Sequence, residues 1–288
     1  MSKKKKVIII SLSALVGVIA LMILLTFTLF AVRHVEVDFK SSTINLTPTS
    51  EEIVEHSGIK NGGSVFFQNK NKYIDNLENK YPYIRVVNIE TVFPSKLVLH
   101  IVERDEVYAV KYQELYYICD YDFKVLKITD NFESDETNAI MLEGIQVEEA
   151  NYALCDKLKV DNFANIYEKL YENNRVLSEQ RSIIKDIEFF MENDGVYQKE
   201  TLTAKLTLFN GQVYRINNCE RGLKGKTKLF IDVYSQFYNF IGKTITTKDG
   251  EEVVLTEENL LNSTIEINNY YNYTEHSEND CYFDIILN

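Results

Sequence analysis

Residues 83–104 read YIRVVNIETVFPSKLVLHIVER, and this stretch decides the fold. Tyr83 to Thr91 alternates as a strand, with Ile84, Val86 and Asn88 on one side and Val87 and Ile89 on the other. Phe93-Pro94-Ser95-Lys96 is a tight connection, and Leu97 to Val102 is the returning strand, closed by Glu103-Arg104. The charged pair has two readings: a solvated strand end, or partners that orient the exit of the strand.

Upstream, the pattern is helical. Thr49 and Glu52 fit a capping box at the start of a short helix that buries Ile53 and Val54 and stops at Gly58. A second helix is expected from about Asn69 to Lys80, with Tyr73, Ile74 and Leu77 on one face, ending before Pro82. Before both, Val35 and Val37 alternate with Glu36 and Asp38 as a strand, and a polar stretch from Lys40 to Asn45 follows. The order is β-α-α-β-β, so two helices cover one face of a three-stranded sheet. All three prolines of the chain fall at element boundaries of this unit, where proline is tolerated.

Further upstream lie four lysines, Lys3 to Lys6, and then 26 uncharged residues from Val7 to Val32. As a helix this run reaches roughly 39 Å, more than the ~30 Å hydrocarbon core requires. A cleaved signal has an apolar core of about 7–15 residues and a small-residue cleavage site. Thr26 to Val32 offers no such site, so an uncleaved anchor is expected. The lysines place the N-terminus in the cytoplasm and the bulk of the chain outside it. Ser13, Gly17 and Ala20 form a small-residue stripe with two readings, a face for close approach of another helix or lipid-facing filler, of which the second is the simpler.

Composition narrows the function. The chain carries 31 basic and 43 acidic side chains, and the lysine run holds four of the former, so the exterior part is strongly acidic. That charge argues against nucleic acid as a partner. Four histidines, His34, His56, His100 and His276, have no second ligand at metal-binding spacing. His100 alternates within an apolar strand and reads as a sheet residue. Cys119, Cys155, Cys219 and Cys281 are 36, 64 and 62 residues apart, which is no metal pattern and leaves either two disulfides or free thiols. No nucleophile elbow or phosphate loop occurs, and acidic runs such as Glu133 to Glu136 read as solvated surface. No enzyme, cofactor, metal or small-molecule substrate is expected. Asn45, Asn262 and Asn272 head glycosylation sequons, which an Asn-rich chain yields by chance.

Beyond Arg104 the chain is mostly β. Strands are expected at Val107–Lys111, Leu115–Cys119, Val125–Ile128, Ile183–Met191, Thr201–Phe209, Val253–Leu255 and Thr264–Ile267. Asn210-Gly211 joins Phe209 to a strand at Gln212–Ile216 and is the best hairpin signal in the chain. Amphipathic helices are expected over Phe163–Tyr171 and near Lys226–Ile241. The expected division is a tail (1–6), a transmembrane helix (7–32), an α+β unit (33–104), a mostly antiparallel β domain with packed helices (105–269) and a loose, Asn- and Tyr-rich C-terminal tail (270–288).

The block from Tyr81 to Arg104 resembles the POTRA domain of the FtsQ/DivIB family of bacterial cell-division proteins. The Tyr81-Pro82-Tyr83-Ile84 strand start, the Pro94–Leu97 turn and the apolar strand ending in Glu103-Arg104 carry the likeness. Tyr116–Asp120 with Val125-Leu126, the pair Lys228-Leu229 and the strand Thr264–Ile267 are also similar to the family, as is the layout of basic tail, single span, POTRA domain and β domain. The chain departs from the pattern at Phe39–Ser42, at Asp105 where proline is common, and at Asp122-Phe123 where the hairpin glycine is missing. The resemblance implies a non-enzymatic divisome scaffold at the septum. It binds single-span coiled-coil partners of the FtsL and FtsB/DivIC type and links septum formation to peptidoglycan synthesis. It also implies partner binding by strand addition at a C-terminal edge, here Ser263 to Asn268, with Thr264, Ile265, Glu266, Ile267 and Asn268 in the contact; the other reading of this strand is that it is internal or already covered by Asn269–Asn288. Arg85 and Glu90 would mark a second docking face on the POTRA domain. The alternatives are another membrane-anchored POTRA module, for transport or assembly, and a cell-wall hydrolase.

Overall fold

The structure is a computed structural model that describes residues 3–40, 48–133, 137–161, 183–193, 199–247, 249–269 and 281–287. The expected helix over Phe163–Tyr171, the sequons at Asn45 and Asn272, His276, and most of the Lys40–Asn45 and Glu133–Glu136 stretches lie outside these residues. The chain divides into two compact units, Met1–Asp105 and Glu106–Asn288.

The first unit opens with helix α1, Lys3–Thr28. It is long and apolar enough to cross a membrane, and no residue of its window Ser11–Thr28 is buried in the isolated chain. The small-residue stripe of Ser13, Gly17 and Ala20 is exposed with it. The helix ends four residues before the expected end of the apolar run. Ala31 bridges to Ser64, and Val32 exchanges backbone bonds with Gly63 and Gly62. Val32 is fully buried with Val65 and Leu97. Ala31 and Val32 are apolar because they pack under the domain, not because they face lipid.

The rest of this unit is a three-stranded sheet under two helices. Strands β1 (His34–Phe39), β2 (Ile84–Val92) and β3 (Lys96–Glu103) lie in the order β1-β3-β2, with β1 parallel and β2 antiparallel to β3. Helix α2 (Ser50–Ser57) starts at the expected capping box, with Thr49 and Glu52 each bonding the other's backbone, and stops at Gly58, whose φ of 76° favours glycine. Helix α3 (Lys70–Glu78) is capped by the Asn69 side chain and ends before Pro82. Ile53 and Leu77 from the helices meet Ile84, Val86, Ile89, Leu99 and Ile101 from the sheet. Each such side chain contributes on the order of 1.5–3 kcal/mol by leaving water. Strict alternation along β2 fails once. A bulge between Val86 and Asn88 re-phases the strand, so Ile89 joins Ile84 and Val86 inside while Val87 and Asn88 are exposed. Arg104 settles the reading of the Glu103-Arg104 pair: it is buried, and its guanidinium reaches Glu78 Oε2 at 2.6 Å and the Ile84 carbonyl at 3.1 Å.

The second unit is built on one nine-stranded sheet. Its strands are β4 (Tyr108–Tyr112), β5 (Leu115–Cys119), β6 (Val125–Thr129), β7 (Ile140–Glu143), β8 (Ile184–Asn193), β9 (Glu200–Leu208), β10 (Val213–Ile216), β13 (Thr264–Asn269) and β14 (Cys281–Ile286). Their order is β14-β13-β10-β9-β8-β7-β4-β5-β6. Five neighbouring pairs are antiparallel; β4/β7, β7/β8 and β10/β13 are parallel. The Asn210-Gly211 turn joins β9 to β10 as expected, with Gly211 at φ 89°. Gly144 at the end of β7 has φ 75°, and a Cβ there would meet the Phe189 carbonyl oxygen at 1.8 Å, so only glycine fits.

The expected helix near Lys226–Ile241 begins earlier and breaks. Helix α4 (Leu223–Ser235) gives way to a short 3₁₀ turn, Phe237–Phe240. α4 packs against β13 and β14, with the Phe230 ring 4.9 Å from that of Tyr214. A short helix, α5 (Glu257–Leu261), precedes β13 and carries its own capping box at Thr256 and Asn259. A two-stranded ribbon of β11 (Thr244–Thr246) and β12 (Glu252–Val254) completes the described elements. Strands β7, β11 and β14 and helix α5 were not expected from the sequence. β14 is a direct correction: it lies within the segment read as a loose tail.

Candidate partner-binding edge

The edge expected at Ser263–Asn268 is not an edge. β13 lies between β10 and β14, parallel to the first and antiparallel to the second. Ile265 and Ile267 are 1% and 0% exposed, within the core that Phe230 and Val233 of α4 also enter. Glu266 meets the Arg215 guanidinium at 3.5 Å, and the same guanidinium is bonded to Glu192 and lies 5.5 Å from the Phe190 ring. Asn268 Oδ1 accepts from Asn217 Nδ2 at 2.8 Å. Thr264 pairs with Val213 on one side and Ile286 on the other. These five residues hold the sheet together, and incoming strands find β13 already covered.

Among the described strands, β14 is the terminal one on this side. It pairs with β13 in continuous register from Asn269↔Cys281 to Thr264↔Ile286 and has no described strand beyond it. The direction of its backbone groups follows from the pairing. The Asn217 N–H donates to the Ile267 carbonyl at 3.1 Å, so Ile267 turns its backbone toward β10. Glu266 and Asn268 therefore turn toward β14 and exchange bonds with Asp284 and Tyr282. Phe283 and Ile285 alternate with those residues and turn their N–H and C=O groups away from β13. Their side chains pack inward, and the Phe283 ring is 5.5 Å from that of Phe240. The apolar residues of Tyr282-Phe283-Asp284-Ile285-Ile286 were the available signal for this strand, hidden by the polar run before it.

Behind the edge sits a buried cation. Lys226 of α4 is fully buried, and its ammonium donates to the Asn217 carbonyl and, at 2.6 Å, to that of Asn218. Burial pushes its pKa down to about 8, opposed by the nearby Cys219 and Cys281 sulfurs. Burial also pushes the Cys219 thiol up to about 12. All four cysteines are free thiols, so of the two readings the structure holds the second. Lys228, the lysine of the expected Lys-Leu pair, is exposed.

On the first unit, Arg85 and Glu90 are both exposed on β2, but Glu90 is engaged. His100 lies between two carboxylates, with Nε2 2.9 Å from Glu90 Oε2 and Nδ1 2.7 Å from Asp38 Oδ2. Those bonds, Glu90's first and Asp38's second, hold His100 above its ordinary pKa. Lys40 first and His100 second hold Asp38 below its own. This ladder ties all three strands together, since Asp38, His100 and Glu90 lie on β1, β3 and β2. Among the described residues no group of His, Cys, Asp and Glu side chains is arranged to hold a metal.

Comparison with known proteins agrees with this architecture. Residues 30–104 match the family model described as "POTRA domain, FtsQ-type". The chain is 27% identical over 163 residues to the "Cell division protein DivIB" of Clostridium acetobutylicum, covering 52% of this chain and 64% of that protein. It is 30% identical over 122 residues to the protein of the same name from Clostridium tetani, covering 42% and 43%. Against that of Clostridium botulinum it is 28% identical over 122 residues, covering 42% and 46%. The chain thus spans less than two thirds of the length of each of these relatives. The FtsQ-type domain over residues 30–104, the apolar N-terminal helix and the matches to DivIB together make the chain similar to the FtsQ/DivIB family of cell-division proteins.

Proposed function

We propose that this protein is a membrane-anchored, non-enzymatic scaffold of cell division. α1 holds it in the cell membrane with its N-terminus in the cytoplasm, and both units stand on the outer side at the division septum. Its partners are single-span coiled-coil division proteins of the FtsL and FtsB/DivIC type, and through them it links septum formation to peptidoglycan synthesis.

The observation that carries this reading is the terminal position of β14 in the nine-stranded sheet. An extended segment of a partner laid along Cys281–Ile286 would find the outward N–H and C=O groups of Phe283 and Ile285 in ladder spacing. Each bond gained this way has a net worth of about 0.5–1.5 kcal/mol. Arg85 and Glu90 are a second, smaller docking candidate on β2, with Glu90 already committed to His100.

A fluorescent fusion expressed from the native locus tests the assignment. A midcell band in dividing cells is the expected result. Uniform envelope labelling through the whole cell cycle would refute it.

A further inference from the structure

Two exposed phenylalanines, Phe66 and Phe93, pack around Phe30, just past the end of α1. Phe30 is two residues past Thr28, and its ring lies 5.1 Å from Phe66 and 6.2 Å from Phe93; Phe66 and Phe93 are 5.4 Å apart. Phe66, Phe67 and Phe93 are 52%, 77% and 60% exposed, and Leu29 beside them is 49% exposed. Phe66 and Phe67 come from the turn before α3, and Phe93 from the turn between β2 and β3. Phe66 and Phe93, this exposed and this close to each other and to Phe30, leave a contiguous apolar patch, and exposed Phe67 follows Phe66 in the chain; such a patch marks an interaction site rather than ordinary surface.

The position of the patch along the span identifies what covers it. From Lys6 to Phe30 is 24 residues, roughly 36 Å as a helix. That exceeds the ~30 Å hydrocarbon core and falls short of the ~40–45 Å bilayer with its headgroups. With the lysines on one side, Phe30 lies in the interfacial zone of the other, and Phe66 and Phe93 lie against it. The domain has no slack with which to rise away. Val32 donates to the Gly63 carbonyl at 2.7 Å, Val65 to that of Phe30 at 2.8 Å, and Arg33 to that of Ser95 at 2.8 Å. The Arg33 guanidinium also donates to the Thr28 carbonyl at 3.2 Å, which puts a cation at the headgroup level of the helix end.

We propose that this patch is a membrane foot: Phe66, Phe67 and Phe93 enter the lipid headgroup zone and fix the first unit on the bilayer surface. Aromatic rings are favoured there because the zone accepts apolar bodies at the edge of water. The foot sets the tilt of the unit instead of leaving it tethered.

The chain contains no tryptophan, so one introduced indole reports alone. The full-length protein, reconstituted in phosphatidylcholine vesicles, would be compared as Phe67→Trp, Phe93→Trp, Leu25→Trp and Val87→Trp. The foot requires blue-shifted emission at 67 and 93, with loss of most intensity when lipids brominated near the headgroup end of the acyl chain are used. Val87, 60% exposed on β2, should stay red-shifted and unquenched as the control. Quenching at 25 with red-shifted, unquenched indoles at 67 and 93 would overturn the foot while leaving the span intact. No quenching at 25 would overturn both. A blue shift at 67 that grows with protein density and ignores bromine would assign the patch to a second protein copy and overturn the lipid reading.

Discussion

Ile265 and Ile285 lie directly opposite each other in the register of β13 and β14, and their backbones face opposite ways along the sheet. Ile265 turns toward β10, inside the sheet, while Ile285 turns to the side of β14 where no described strand lies. Proline at the two positions should therefore behave differently. Ile265→Pro removes an interior ladder bond and a fully buried side chain, at a cost of at least ~3 kcal/mol, and should unfold the end of the sheet. Ile285→Pro removes an outward donor, keeps the bonds to β13, and should weaken partner binding about tenfold or more. Ile285→Ala keeps the N–H and is the control for lost packing. Thermal melts and pull-downs with a coiled-coil partner's exterior segment separate the three variants.

Arg104 and Glu78 form the most buried ion pair described in the POTRA unit, with side chains 7% and 19% exposed. Glu78 also accepts from the Val86 N–H at 2.9 Å, next to the β2 bulge. Glu78→Ala would strand the guanidinium away from water and should destabilise the unit by about 3 kcal/mol. Denaturant titration followed by amide exchange in β2 and β3 reads this cost. A shift below about 0.5 kcal/mol would mean that the pair behaves as a surface bridge.

The His100 ladder gives the POTRA unit a pH optimum. The folded-state pKa of His100 is raised, so its contribution is complete below the unfolded value near 6.5 and is lost as pH climbs through the folded value. That of Asp38 is lowered, so its contribution is present above the unfolded value near 3.8 and is lost on acidification. The unit should be most stable between roughly pH 4 and 6.5. His100→Gln should flatten the alkaline limb of a melting-temperature profile. An unchanged alkaline limb in that variant would remove His100 as the cause.

Lys226 gives the β13–β14 end of the sheet a buried support. Lys226→Met keeps the stem and removes the ammonium, leaving the Asn217 and Asn218 carbonyls without this donor. The expected cost is about 2 kcal/mol. Because Asn217 bonds both Ile267 and Asn268, amide exchange should quicken in β13 and β14 before it does in β4 to β6. Uniform loss across the sheet would contradict a local role.

The POTRA unit was legible because its determinants are local. A capping box, a helical face and two strands around Pro94 each lie within about a dozen residues, and the structure places all of them as the periodicity implies, apart from the bulge at Val86 and Asn88. The Asn210-Gly211 hairpin was legible for the same reason. The β domain was legible as a set of strands but not in their order, because that order depends on parallel pairings across long separations, such as Val213 with Thr264 and Met141 with Asp186. No local pattern states such a partner. The terminal strand of the sheet was the hardest to place. Thr264–Ile267 was the last strand read from the sequence, so the C-terminal edge that the resemblance implies was placed on it. Cys281–Ile286 has weaker alternation and follows a polar segment, yet it takes the outer place. Buried Lys226 was equally hidden, since a lysine at an inward helical position looks like any surface lysine until Asn217 and Asn218 are folded against it.

The most direct measurement is amide hydrogen exchange on the full-length protein, with and without the exterior segment of an FtsB/DivIC-type partner. Protection should appear at Phe283 and Ile285, with little change at Ile265 and Ile267, which are already protected in the free protein. Binding with unchanged exchange at Phe283 and Ile285, and new protection confined to other strands, would contradict strand addition at β14.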